Sequence, residues 1–224
     1  MNKFINILLL LILFPAIATA IIIGFDIPVD FLKFSGANMP YKLQIFAGFA
    51  ALIFVIGGRR SIRRWMGLRM VNQISRFKWN APMAKNRYRQ SVLYLILEAV
   101  LHLAVAYALY VLTPSTWPVV LVLCVLALDH LFFAFLATQK QLFRVGITSK
   151  ALLVADRDLK AVYFSGLRKV DKHQQSLFFD YVKDFQIAFP SDCISESDRE
   201  TFKAVLADNL DRDRVFFSES FKQF

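Results

Sequence analysis

The sequence predicts an α+β membrane protein: four transmembrane helices, then a small cytoplasmic antiparallel β domain that ends in a helix. Three observations carry this expectation. The chain has 224 residues, 57% of them hydrophobic, and they gather into runs long enough for a bilayer, which takes about 20 residues per helix. Residues 59–90 hold ten Arg and Lys and no Asp or Glu, which matches the whole net charge of +10. After Thr138 the composition turns polar and mixed in charge, over a length that suits one small domain.

The expected spans are 4–25, 43–57, 91–113 and 119–137, all within a transmembrane domain 1–137. Lys3, the apolar run and Ala18-Thr19-Ala20 have the form of a signal peptide with a small-residue cleavage site. The run continues through Ile21, Ile22 and Ile23, longer than a signal core, and this favours a retained helix. Pro28, Gly36 and Pro40 punctuate an outer loop, in which Phe31, Leu32 and Phe34 suit the membrane interface. The second span, 43–57, is the shortest. Pro114-Ser115-Thr116-Trp117-Pro118 is short enough to force the last two spans into an antiparallel hairpin.

The basic segment fixes the expected topology. Arg and Lys collect in short cytoplasmic loops, so 59–90, both termini and the domain 138–224 are expected in the cytoplasm of a bacterial inner membrane. Because the excess charge sits in one loop, it does not point to nucleic acid. Ile62, Trp65, Met66, Met70, Ile74 and Phe77 recur at helical spacing, which predicts an amphipathic surface helix over 60–78. Arg59, Arg60, Arg63, Arg64, Arg69, Arg76 and Lys78 would then contact anionic phospholipid, with Trp65 and Phe77 in the lipid. Asn80-Ala81-Pro82 would break that helix. Simple positive-inside anchoring accounts for the same charges.

Four ionisable residues interrupt the last two spans: Glu98, His102, Asp129 and His130. Charge in a bilayer interior is costly, so such groups face a bundle interior, a cavity or a partner. Glu98 and His102 stand at i and i+4 and share a helix face. Asp129 and His130 point about 100° apart, so at most one of them faces the partner helix squarely. The tight hairpin brings all four to a similar depth. The group could be an interhelical polar clamp, a proton or ion relay, a divalent-metal site or a contact to another subunit.

Beyond Thr138, short runs at 142–148, 151–155, 160–164, 177–182 and 185–189 read as strands. Asp156-Arg157-Asp158, Lys172-His173-Gln174-Gln175 and Lys183-Asp184 read as turns between them. Ser197-Asp198-Arg199-Glu200 has the form of a capping box opening a helix over 197–210. Phe216, Phe217, Phe221 and Phe224 form an aromatic tail that could dock on the domain, on the membrane or on a partner. Cys124 and Cys193 offer no disulfide framework and no CxxC site.

A meander closed by one helix resembles a pleckstrin-homology-like barrel. ITSKALLVADRDLKAVYFSGLRKVDKHQQSLFFDY, followed by FQIAFPSDCISESDRETFKAVL, is similar to the C-terminal domain of YcxB-like bacterial membrane proteins. Ile187, Phe189, Pro190, Ser197 and Glu200 stand where that family has an apolar strand, a proline and a cap. The resemblance covers the tail and the hairpin before it, and implies no catalytic residues and no cofactor.

No hydrolase, P-loop, zincin or dinucleotide motif is present. The sequence therefore points to a non-enzymatic inner-membrane scaffold or accessory subunit that positions a protein partner or a second copy of itself. The competing expectation is a transport or energy-coupling component that uses the intramembrane acids and histidines.

Overall fold

The computed structural model describes residues 2–29, 34–182, 185–210 and 214–224. The expected interface residues Phe31 and Leu32 and the turn Lys183-Asp184 lie outside them. The fold is α+β. Four helices are long and apolar enough to cross a membrane: α1 (Asn2–Gly24), α2 (Lys42–Val71), α3 (Lys85–Leu112) and α4 (Trp117–Lys140). A two-residue hairpin, β1 (Pro28–Val29) with β2 (Phe34–Ser35), follows α1. The chain forms two compact units, one of residues 1–62 and 95–134, the other of 63–94 and 135–224.

The first unit is helical. Its core joins Phe46, Ile53, Leu109, Leu123 and Leu126 with the small residues Ala20, Ala50 and Ala106. Alanines at such contacts let helix backbones approach closely, as packing in lipid favours. Leu10, Leu11, Phe14, Val111 and Leu128 are all more than 60% exposed. Apolar side chains facing outward over small residues facing inward are consistent with a multi-pass membrane protein.

The second unit is built on two four-stranded sheets. One runs β3 (Trp79–Pro82), β4 (Arg144–Ile147), β5 (Ala151–Ala155), β6 (Leu159–Tyr163), antiparallel throughout. The other has the order β10-β7-β8-β9, with β7 Leu167–His173, β8 Ser176–Tyr181, β9 Gln186–Pro190 and β10 Phe216–Phe217. Helix α5 (Arg199–Asn209) follows β9, and its Phe202 packs edge-on against Trp79 of β3 at 5.4 Å. Phe143, Ile147, Leu152, Leu177, Phe179 and Phe189 are fully buried with it.

Several expectations are corrected here. There is no separate surface helix over 60–78: α2 continues through the arginines to Val71, and a short 3-10 turn, Ile74–Arg76, follows. Asn80-Ala81-Pro82 is not a breaker but most of an edge strand, with Pro82 as its last residue, where a missing N–H costs nothing. Asn80 holds the junction: its side-chain amide donates to the Val71 carbonyl at 2.8 Å and its oxygen accepts from Arg144 Nε at 2.5 Å. Phe77 packs on Val71 and the β5 alanines rather than in lipid.

The strand β7 was hidden by its charges. Only Leu167 and Val170 are buried in LRKVDKH, and a register shift between Leu167 and Lys169 breaks the period of two. Lys172 and His173 belong to the strand, and the turn is Gln174-Gln175, with Gln174 at a φ of 52°.

Ser197 does not cap α5. The helix is entered through a 3-10 turn, Glu196–Asp198, and the Ser197 hydroxyl pairs with that of Ser195 at 2.9 Å. The side-chain cap lies in the aromatic tail, where Ser218 Oγ accepts from Phe221 N at the start of α6 (Glu219–Lys222). That tail docks on its own domain. β10 pairs in parallel with β7, Phe221 and Phe224 are buried, and Lys172 and Arg199 lie over the Phe224 ring. Ser218→Ala should therefore loosen the tail by about 1 kcal/mol, read as faster amide exchange at Phe221. Ser197→Ala should change stability by less than about 0.5 kcal/mol.

Candidate functional site

Sequence reasoning singled out Glu98, His102, Asp129 and His130. The structure gathers three of them and adds an arginine. Glu98 leaves α3 toward α2 and α4, and Arg60 Nη2 donates to both its carboxylate oxygens, at 3.0 and 2.9 Å. His130 Nε2 stands 3.0 Å from the same Oε2. The other nitrogen, Nδ1, is 2.6 Å from the Leu126 carbonyl one turn back on α4. A carbonyl oxygen only accepts, so Nδ1 carries a hydrogen. The 3.0 Å approach of Nε2 to Oε2 is a close contact that lies outside hydrogen-bond geometry.

His102 is tied in differently. Its Nδ1 donates to the Glu98 backbone carbonyl at 2.5 Å. Its ring lies 5.3 Å from the His130 ring at an angle of 31°. It also lines a cavity of about 70 Å³ with Leu13, Ile53, Val105 and Leu123. Asp129 turns away, as the 100° step from His130 requires, and accepts from Ser61 Oγ at 2.7 Å. Arg60 and Ser61 are neighbours on α2, so the two carboxylates are served by successive residues of that helix.

The cluster is largely dry. The side chains of Arg60, Glu98 and His130 are 11%, 22% and 6% exposed. Arg60 was expected at the lipid headgroups, and burial on Glu98 replaces that role. The signal that could have found it was present: an apolar span carrying an acid needs a base at matching depth, and Arg60 follows three residues after the expected end of the second span. Among the described residues no three or more His, Cys, Asp or Glu are placed to hold a metal ion.

The second unit has its own charge network. The β5–β6 turn, Asp156-Arg157-Asp158, is closed by Asp158 N donating to Asp156 Oδ1. Arg63 lies 3.7 Å from Asp158, Arg87 3.3 Å from Asp156 and 3.8 Å from Asp192, and Arg157 sits 4.4 Å over the Tyr94 ring. Both aspartates are buried, as is Arg64. Of the bases expected on lipid, Arg63 is thus drawn to an acid and Arg64 lies inside. Arg59, Arg69, Arg76 and Lys78 are exposed, and Trp65 is half-buried. Cys193, beside this network, is fully buried, and burial pushes its thiol up to about 12.

Arg60→Met should destabilise the helical unit by about 3 kcal/mol or more, because it strands the Glu98 carboxylate. Adding Glu98→Leu to it should restore most of that loss, measured as the thermal midpoint in a mild detergent. Two independent, additive losses would contradict the pairing.

Protein-family models, curated proteins and solved structures were all compared with the chain, and none matches it.

Proposed function

We propose that this chain is a non-enzymatic scaffold or accessory subunit of a bacterial cytoplasmic membrane, which holds a protein partner through its cytoplasmic domain. The observation that carries this reading is the use of charge. Arg60, Glu98 and His130 are spent on one another, Asp129 on Ser61, Arg63 on Asp158, and Arg87 on Asp156 and Asp192. Groups paired in this way hold helices and turns in place and offer a substrate little. The pleckstrin-homology-like and YcxB-like reading of the domain is supported by its antiparallel meanders followed by α5. Contact with anionic lipid rests on the exposed bases Arg69, Arg76 and Lys78 beside exposed Met66, Met70 and Ile74.

The test is cross-linking in native membranes followed by purification in mild detergent. A defined protein should co-purify at fixed stoichiometry with the wild type and with Glu98→Gln alike. A proton- or ion-coupling component is the second reading, favoured by the adjacent His102 and His130 rings, the first of which lines the cavity. On that reading Glu98→Gln alone abolishes ion flux in proteoliposomes with the fold intact.

Topology has its own check. Cysteine placed at exposed Ser75 should react with a membrane-impermeant maleimide in inverted vesicles and not in intact cells. Native Cys193 should stay silent at pH 8, since a buried thiol pushed up to about 12 carries almost no thiolate there. The same shift has a stability consequence. The folded thiol holds its proton above the ordinary value of 9.0, so the domain loses stability as pH rises from there toward 12.

A further inference from the structure

One patch of the second unit is aromatic, contiguous and outward-facing. Tyr163 ends β6 and is 62% exposed, while Val182 and Phe185 flank the β8–β9 connection at 46% and 59%. Hydrogen bonds and one ring contact hold these segments side by side. Tyr181 Oη donates to the Tyr163 carbonyl at 2.6 Å, the Tyr181 and Phe185 rings lie 5.6 Å apart, and Val182 N donates to the Gly166 carbonyl at 3.0 Å. Large aromatic side chains left in contact with one another in water mark an interaction site, and buried aromatics supply most of the energy of protein interfaces.

The strand directions say which way the patch faces within its unit. β3 runs out of the sheet at Pro82, and α3 starts at Lys85; α4 stops at Lys140, and β4 starts at Arg144. In register, Pro82 pairs with Arg144, Arg144 with Ala155, and Ala155 with Leu159. That row of the sheet is the one beside the start of α3 and the end of α4. Tyr163 pairs with Ala151 at the opposite end of the hairpin, four residues and roughly 13 Å away. Tyr163 therefore stands at the end of its hairpin away from the start of α3 and the end of α4.

The charge around it is positive. Lys150, whose carbonyl accepts from Phe164 N, and Arg168, beside Leu167 on β7, are both exposed. Among the described residues, the carboxylate of Asp180 is taken up by the Gln186 amide at 2.6 Å. A second copy of the patch would bring Lys150 and Arg168 against their own kind. We infer that Tyr163, Tyr181, Val182 and Phe185 form a docking site for a protein partner that presents an aromatic or leucine side chain flanked by carboxylates. This site rests on the scaffold reading and says where the partner is held.

The test uses the full chain in nanodiscs and a phage-displayed library of linear peptides. Selected peptides should combine an aromatic or leucine residue with two or more acids. Their affinity, read by fluorescence anisotropy, should fall about ten-fold or more in Tyr163→Ser/Phe185→Ser. Affinity should also fall in Lys150→Glu/Arg168→Glu and with rising salt. Glu200→Ala, on the outer face of α5, should leave it unchanged. Unchanged circular dichroism of each variant separates loss of the site from loss of the fold. Selected peptides that are basic, or that bind Tyr163→Ser/Phe185→Ser as tightly as wild type, would overturn the proposal. Self-association abolished by Tyr163→Ser/Phe185→Ser would assign the patch to a second copy and would also overturn it. If a partner still cross-links in native membranes while the selection fails, the site is wrong and the scaffold reading stands. If the selection succeeds and no partner co-purifies, the reverse holds.

Discussion

A carboxylate placed among apolar helices has to bring its counter-charge with it, and that constraint shapes the helical unit around Glu98. Its charge is met by Arg60 on α2 and His130 on α4, so three helices are tied at one point. Two of the three contacts are to one guanidinium nitrogen, Arg60 Nη2, on a group whose charge is permanent. Once Arg60 faces inward, the rotation of α2 about its axis is set. Ser61, 100° further round, then meets Asp129. The adjacent pairs Arg60-Ser61 and Asp129-His130 are thus two halves of one arrangement, each residue turned to a different acid or base.

The same rule operates in the second unit on a different scaffold. The Asp156-Arg157-Asp158 turn puts two acids and a base on three successive residues, and each finds a partner of the other kind: Arg87, Arg63 and the Tyr94 ring. A tight turn fixes the directions of its side chains, so the three contacts come as a set. Arg87 reaches on to Asp192, just past β9, so the turn, the start of α3 and the approach to α5 share one cation. The basic segment that dominates the net charge is in this sense half of an internal salt-bridge system. Its acids are supplied from residues far along the chain.

This explains what was legible in the sequence. The four apolar helices, the β character of the tail and the special status of Glu98, His102 and His130 follow from local composition and spacing, and the structure has these elements. The errors at Arg60, Arg63, Arg64 and Asn80-Ala81-Pro82 concern residues whose role is set by a distant partner, and those at β7 and Ser197 are local. Arg60, Arg63 and Arg64 fit the polar face of an interfacial helix as long as Glu98 and Asp158 are out of view. Asn80-Ala81-Pro82 has weak strand propensity and becomes a strand because β4, over sixty residues later, offers it an edge. β7 was missed because a bulge and four charged residues erase its alternation. Ser197 matches a capping box, but Ser195 and Asp198 compete for its surroundings through their own hydrogen bonds, and the chain enters α5 by a tighter turn.

The pairing also bears on whether the Glu98 cluster is a clamp or a carrier. A carrier group has to gain and lose charge at small cost, with a route to each side. Glu98 is instead engaged on both oxygens by a cation that cannot itself release a proton, and Asp129, which could extend a route, points to Ser61 and away from the histidines. Discharging Glu98 would strand Arg60 in a site where the arginine side chain is 11% exposed, and stranding a buried charge costs more than the pair returns. A site arranged in this way gives α2, α3 and α4 a fixed register, which is what a clamp between helices requires.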